Sequence, residues 1–151
     1  MIAVLLSLLA QAADPPPVRP VEHWEPWLSW ACLVSAGEGK PWVINGVVAR
    51  RNDPGEPIEF RRHERALRVL RDDSGELAGR QARSPLFVAR PEGFWAYFPN
   101  PGKDGSRRFL TLNVKRPGGP GTVQLFQGKV GGAPYATGDC ATRLDQQKAK
   151  S

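Results

Sequence analysis

Few side chains in this sequence are suited to covalent or metal chemistry. The 151 residues include two cysteines, Cys32 and Cys140, and two histidines, His23 and His63. None of them has the spacing of a CxxC or HxxxH metal-ligand motif. No Gly-x-Ser-x-Gly elbow, phosphate-cradling glycine loop or metal-binding helix signature occurs either. The sequence therefore predicts no metal and no cofactor, and it favours a non-enzymatic protein over an enzyme.

Two local pairings resemble catalytic groups. His63 stands beside Glu64, but adjacent residues of a strand point to opposite faces, so we do not expect them to act together. Asp139 precedes Cys140 and could activate its thiol, but Cys32 is available as a disulfide partner. A catalytic site assembled from distant strands stays open as an alternative.

Residues 1–13 form a hydrophobic run that only Ser7 and Gln11 interrupt. Its small residues near the end are typical of a cleavable secretory signal, with cleavage after Ala12 or Ala13. The run is too short for a membrane span, which needs about 20 apolar residues. It has no Lys or Arg before its apolar core, so the hydrophobic terminus of a cytosolic protein is the alternative. We predict a periplasmic or secreted protein that does not span the membrane.

The two cysteines are expected to form one disulfide, because exported proteins fold in an oxidising compartment. Cys32 lies in the first predicted strand and Cys140 in the last, 108 positions later. Their bridge would join the first strand to the last and close the sheet. Metal ligation and a nucleophilic thiol are the alternatives, and neither has partner residues in the sequence.

The chain turns over about every ten residues at breaks rich in its 16 glycines and 15 prolines. This pattern predicts an all-β fold, a small antiparallel sandwich or barrel. A helix competes with a strand over Pro26–Val34, where we favour the strand. It also competes over Arg61–Asp73, where we favour a strand only for Ala66–Arg71. The other predicted strands are Leu28–Ser35, Trp42–Arg50, Leu86–Ala89, Phe94–Phe98, Phe109–Lys115, Val123–Phe126 and Tyr135–Thr142.

The composition divides the chain into four segments. Residues 1–13 are the predicted signal, and the proline-rich residues 14–26 are expected to form a semi-rigid linker. Residues 27–145 are predicted to form a single β domain, followed by a polar tail at 146–151. Without the signal about 138 residues remain, which is enough for one domain with a proper core.

Positive charge exceeds negative charge by six, and fifteen of the 21 basic residues are arginines. Arg61–Arg83 is especially basic, but acidic residues are interspersed, so we expect a solvated surface of mixed charge there. An anion-binding face is the alternative, since the guanidinium fork matches phosphate and carboxylate groups. Export argues against nucleic acid and favours an anionic envelope component or an envelope protein as the partner.

The predicted strand Phe94–Phe98 carries aromatic residues on both faces, with Trp95 and Tyr97 sharing one of them. Pairing with the next strand would bring Arg107 and Arg108 close. Aromatic rings and arginines together bind sugars or partner proteins. We therefore name these two rings and two arginines as candidate binding residues, with core packing of both faces as the alternative.

These observations favour a non-catalytic exported β-domain that binds an envelope component, a glycan or a protein. One alternative is an inhibitor or accessory protein of an envelope enzyme, acting through the loop Arg116–Gly121. Another is an enzyme whose site the sequence does not reveal. A small carrier would need an interior cavity lined by residues such as Trp42, Phe94 and Phe109.

Overall fold

The computed structural model describes residues 23–51, 64–100, 105–128 and 132–145. Within these ranges the regular structure consists entirely of β-strands, which confirms the all-β prediction. The strands are β1 (Trp24–Ser35), β2 (Trp42–Arg51), β3 (Arg65–Asp72), β4 (Gln81–Arg83), β5 (Phe87–Arg90), β6 (Gly93–Phe98), β7 (Arg108–Val114), β8 (Gly121–Gln127) and β9 (Ala136–Leu144).

All nine strands belong to one antiparallel sheet with the order β4-β3-β2-β1-β9-β8-β7-β6-β5. Neighbours in the sheet are neighbours in the chain, except where β1 pairs with β9. The sheet curls until β4 approaches β6 and β3 approaches β5, so that it forms a nearly closed barrel. Of the two architectures predicted, the barrel is the correct one.

The barrel closes through a bent segment that contains both β4 and β5. These strands run in the same direction, because every pairing between them around the sheet is antiparallel. Only Ser84–Leu86 separates them, with a cis peptide bond between Ser84 and Pro85. The Leu86 amide donates to the Arg83 carbonyl at 2.7 Å, while the Leu86 carbonyl accepts from Tyr97 at 2.9 Å. Residues 81–90 thus act as one kinked strand that pairs first with β3 and then with β6.

Side chains alternate between the inner and the outer face along β1 and β2, and this alternation decides which of them fill the barrel. Trp30 on β1 points inward and lies directly opposite Gly46 on β2. A Cβ atom at position 46 would come within 2.5 Å of the Trp30 ring and 2.1 Å of the Arg68 carbonyl oxygen. Only glycine fits there, since the absence of a side chain is what lets the indole pack against the wall.

Large apolar side chains fill the interior. Complete burial of one such side chain stabilises the fold by about 1.5–3 kcal/mol. The largest of them are Trp30, Phe98, Leu28, Ile44, Leu67, Leu77, Leu110, Leu112, Leu125, Val34, Val48 and Val69.

Cys32 and Cys140 form the predicted disulfide between the first and the last strand. They face each other directly in the β1–β9 ladder, with 4.1 Å between their Cα atoms. The bridge is consistent with an oxidising extracellular compartment.

The described ranges hold no helix with the length and apolar character that a membrane span requires.

The strand prediction for Ala66–Arg71 is confirmed, because β3 covers it and adds one residue at each end. The competing helix over Pro26–Val34 is replaced by β1, which begins three residues before the predicted domain boundary. The predicted signal, most of the linker and His63 lie outside the described residues.

Candidate binding surfaces

The outer face of β5, β6 and β7 carries a cluster of aromatic and aliphatic side chains, which we call the aromatic face. Trp95 and Tyr97, which the sequence placed on one face of their strand, point outward from β6 and are half-buried. Phe109 on β7 lies opposite Tyr97. Its ring centroid is 5.6 Å from that of Tyr97 and 6.1 Å from that of Trp95, where the two rings meet edge to face. The three rings therefore form one continuous surface.

Two exposed aliphatic residues extend the aromatic face. Val88 lies opposite Trp95 in the β5–β6 ladder and is 43% exposed, and Leu86 beside Tyr97 is 40% exposed. Single exposed apolar residues are ordinary, but a contiguous group marks a binding site. The sequence did not reveal these two residues as part of the site, because their position depends on the kink that joins β4 to β5.

Arg90 supplies a positive charge to the aromatic face. Its guanidinium carbon lies 4.4 Å from the centroid of the Trp95 ring, and its Nε is 3.4 Å from a Glu92 carboxylate oxygen. A guanidinium over an indole ring is held by a cation–π attraction of about 0.5–1 kcal/mol at an exposed site. Arg90 was missed in the sequence, although the two-residue turn Pro91-Glu92 marks the hairpin that brings it there.

The two arginines predicted for this site lie apart from each other. Arg107 is exposed, and its Nε donates to the Pro99 carbonyl at 3.1 Å. Arg108 is only 4% exposed and lies inside the barrel. Successive residues of a strand alternate between faces, so the outward position of Phe109 fixes the inward position of Arg108. The structure does not bring Arg108 together with Trp95 and Tyr97.

Arg108 belongs to a polar cluster at one end of the barrel. Its Nη2 is 3.3 Å from Glu76, and its guanidinium carbon lies 5.2 Å from the centroid of the Tyr135 ring. Burial raises the pKa of Tyr135, although the charge of Arg108 acts in the opposite direction. Asp72 accepts hydrogen bonds from the backbone amides of Ser74, at 3.0 Å, and Leu77, at 2.9 Å. These contacts hold the turn after β3 across this end.

The opposite end of the barrel has a different chemistry, and we call it the basic mouth. Arg50 on β2 and Arg65 on β3 lie directly opposite each other there. They continue the inward-facing set of their strands at the rim, where Arg50 is exposed and Arg65 is half-buried. The guanidinium carbon of Arg50 is 4.6 Å from the centroid of the Trp27 ring, which meets Phe94 edge to face at 6.0 Å. Partial burial and the charge of Arg65 lower the pKa of Arg50, while Glu25 opposes the shift.

An ion-pair network lies on the outer surface near the basic mouth. Glu64 accepts from Arg51 at 2.7 Å and also from Arg83, whose guanidinium lies 5.1 Å from the Trp24 ring. Burial alone would raise the pKa of Glu64. The hydrogen bonds and charges of Arg83 and Arg51 outweigh burial and hold that pKa below its ordinary value.

A shallow outer groove of about 350 Å³ crosses β1, β2 and β9. Ala31, Asn45 and Ala141 form its floor, and Leu70 is exposed at its side. Within the described ranges, no three His, Cys, Asp or Glu side chains are arranged to hold a metal ion.

The chain matches no family model, no curated protein and no solved structure.

Proposed function

We propose that this chain is a non-catalytic, exported β-domain that binds a protein of the cell envelope through the aromatic face. The observation that carries the proposal is the continuity of Trp95, Tyr97 and Phe109 with the exposed Leu86 and Val88. Aromatic residues are enriched at the centres of protein interfaces, because they contribute a large contact area at low entropic cost.

A protein fits this face better than a glycan. Sugars stack on aromatic rings but also need polar groups around the ring for their hydroxyls. Leu86 and Val88 provide aliphatic surface there instead. Arg90 lies at the margin of the patch, where a charge helps to orient a partner without being buried.

Export is supported by two features of the chain. Its first 13 residues have the pattern of a cleavable signal, and Cys32 is joined to Cys140 as expected of an oxidising compartment. N-terminal sequencing of the protein from the cell envelope should begin near Asp14. An intact Met1 would refute the predicted cleavage and remove this support for export.

Site-specific photo-cross-linking in living cells tests the binding face. A photoreactive residue at position 88 should give one discrete protein adduct, because this position is exposed and lies directly beside Trp95 in the proposed interface. Thr122 is the matched control, since it is also exposed and lies on the outer side of a strand, on β8. The same adduct from both positions, or none from position 88, would contradict the proposal.

A further inference from the structure

We propose that the basic mouth, formed by Arg50, Arg65 and Trp27, is a binding site for a phosphate group. This site lies apart from the aromatic face, and the proposal does not depend on the function proposed for that face.

The β2–β3 ladder places Arg50 and Arg65 directly opposite each other. Val48 and Leu67 are partners in that ladder, and both are fully buried inside the barrel. Arg50 and Arg65 are partners two residues further on, so they lie on the same inward side at the rim. Directly opposed residues of antiparallel strands have Cβ atoms about 4.5–5.5 Å apart, which places both side chains within reach of one small ligand.

This arrangement is unfavourable without a ligand. Like charges directly opposite each other destabilise a sheet. Several other arginines of the described ranges form ion pairs with carboxylates, as in the pairs Arg51–Glu64, Arg71–Asp73, Arg90–Glu92, Arg108–Glu76 and Arg143–Asp145. Neither Arg50 nor Arg65 has such an ion pair within those ranges.

The surroundings restrict the ligand further. Glu25 lies opposite Arg50 on β1 and offsets part of the positive charge, yet the influence of Arg65 on the pKa of Arg50 is the stronger one. The Trp27 ring, with Arg50 over it, provides an apolar wall beside the two guanidinium groups. A phosphate monoester fits this site, because several oxygens can accept from two separate guanidinium forks and its charge is about −1.5 to −2.

Thermal unfolding in phosphate and in chloride, at matched ionic strength and pH 7, tests the site. A ligand that binds only the folded state raises the melting temperature, and we expect a rise of about 5 °C or more near saturation. The informative variant is Arg65→Gln. In chloride its melting temperature should be higher than that of the wild type, because Arg50 and Arg65 no longer repel each other. In phosphate its melting temperature should show no further increase.

Arg68→Gln is the matched control. Arg68 is exposed on the same strand, and its ladder partner Val47 is an outward residue, so the change in net charge is identical while the mouth is untouched. This variant should keep the full rise in phosphate. Arg50→Gln repeats the test from the other strand and should behave like Arg65→Gln. The proposal would be overturned if phosphate still raised the melting temperature of Arg65→Gln. It would also be overturned if Arg68→Gln lost this increase to the same extent.

The phosphate can belong to a free anion or to a lipid headgroup. Co-sedimentation with vesicles of phosphatidylcholine, with and without phosphatidic acid, separates these sources. Binding that requires phosphatidic acid and is lost in Arg65→Gln assigns the site to a phosphorylated headgroup. A thermal response to inorganic phosphate without vesicle binding assigns it to a free phosphate. Lack of both responses would overturn the proposal.

Discussion

Arg108 and Glu76 form an ion pair at the end of the barrel opposite the basic mouth, with 3.3 Å between Nη2 and the carboxylate oxygen. Their side chains are 5% and 20% exposed, so the guanidinium is almost completely removed from water. The pair connects the start of β7 to the turn that follows β3. One end of the barrel is thus covered by a neutralised polar cluster, whereas the other presents the opposed Arg50 and Arg65.

We predict that Arg108→Met destabilises the fold by about 3 kcal/mol, because it removes the cation that Arg108 supplies to Glu76 in a largely buried site. Urea unfolding of the two proteins measures this loss. Adding Glu76→Gln to the variant should recover part of the stability, since an amide is less costly to bury than a carboxylate. The exposed pair Arg143–Asp145 provides the control: Arg143→Met should cost less than about 1 kcal/mol. Equal losses in both variants would contradict the buried role of Arg108.

The Cys32–Cys140 bridge should contribute about 2–4 kcal/mol to the free energy of unfolding, because it closes a long loop in the unfolded chain. Urea unfolding with and without reductant measures this contribution. Mass spectrometry of the same samples should show a difference of two hydrogen atoms. The β1–β9 ladder brings the two residues together, so we expect the reduced protein to fold with lower stability. Identical unfolding midpoints would show that the bridge adds nothing.

The Glu64 network predicts a pH dependence of stability. Because Arg83 and Arg51 hold the pKa of Glu64 below its unfolded value of about 4.3, its contribution is complete above that pH. The contribution is lost as the pH falls through the lower folded-state pKa. Glu64→Gln should therefore reduce stability by about 1 kcal/mol at pH 7 and by progressively less in acid. A difference between the two proteins that stays constant from pH 7 to pH 2 would exclude this electrostatic role.

Alternation and turn chemistry predicted much of the fold. The period-2 alternation of side chains along a strand puts Trp42, Ile44, Gly46 and Val48 on one side of β2, and Ile44, Gly46 and Val48 are buried on the inward side. The disulfide was predicted from the presence of two cysteines, one in the first predicted strand and one in the last, in a chain that was expected to be exported. The choice between a sandwich and a barrel could not be made in this way, because it depends on the kink after Arg83 that turns one strand from β3 to β6.

The candidate sites were harder to predict, because they depend on register. Trp95 and Tyr97 were assigned to one face from their spacing alone. Residues two positions apart on a strand share a face whichever strands lie beside it. Arg108 was assigned by proximity in sequence, although its neighbour Phe109 occupies the outward position. The opposition of Arg50 and Arg65 depends on the pairing of β2 with β3 across a long connection, and no residue pattern in the sequence fixes that pairing.

The affinity of the cross-linked partner for two matched variants tests the central claim most directly. Val88→Glu places a charge on the aromatic face at an exposed position that the fold tolerates, and Thr122→Glu places the same charge on β8. We predict at least a tenfold higher Kd for Val88→Glu, about 1.4 kcal/mol, and an unchanged Kd for Thr122→Glu. An unchanged Kd for Val88→Glu would contradict binding through this face.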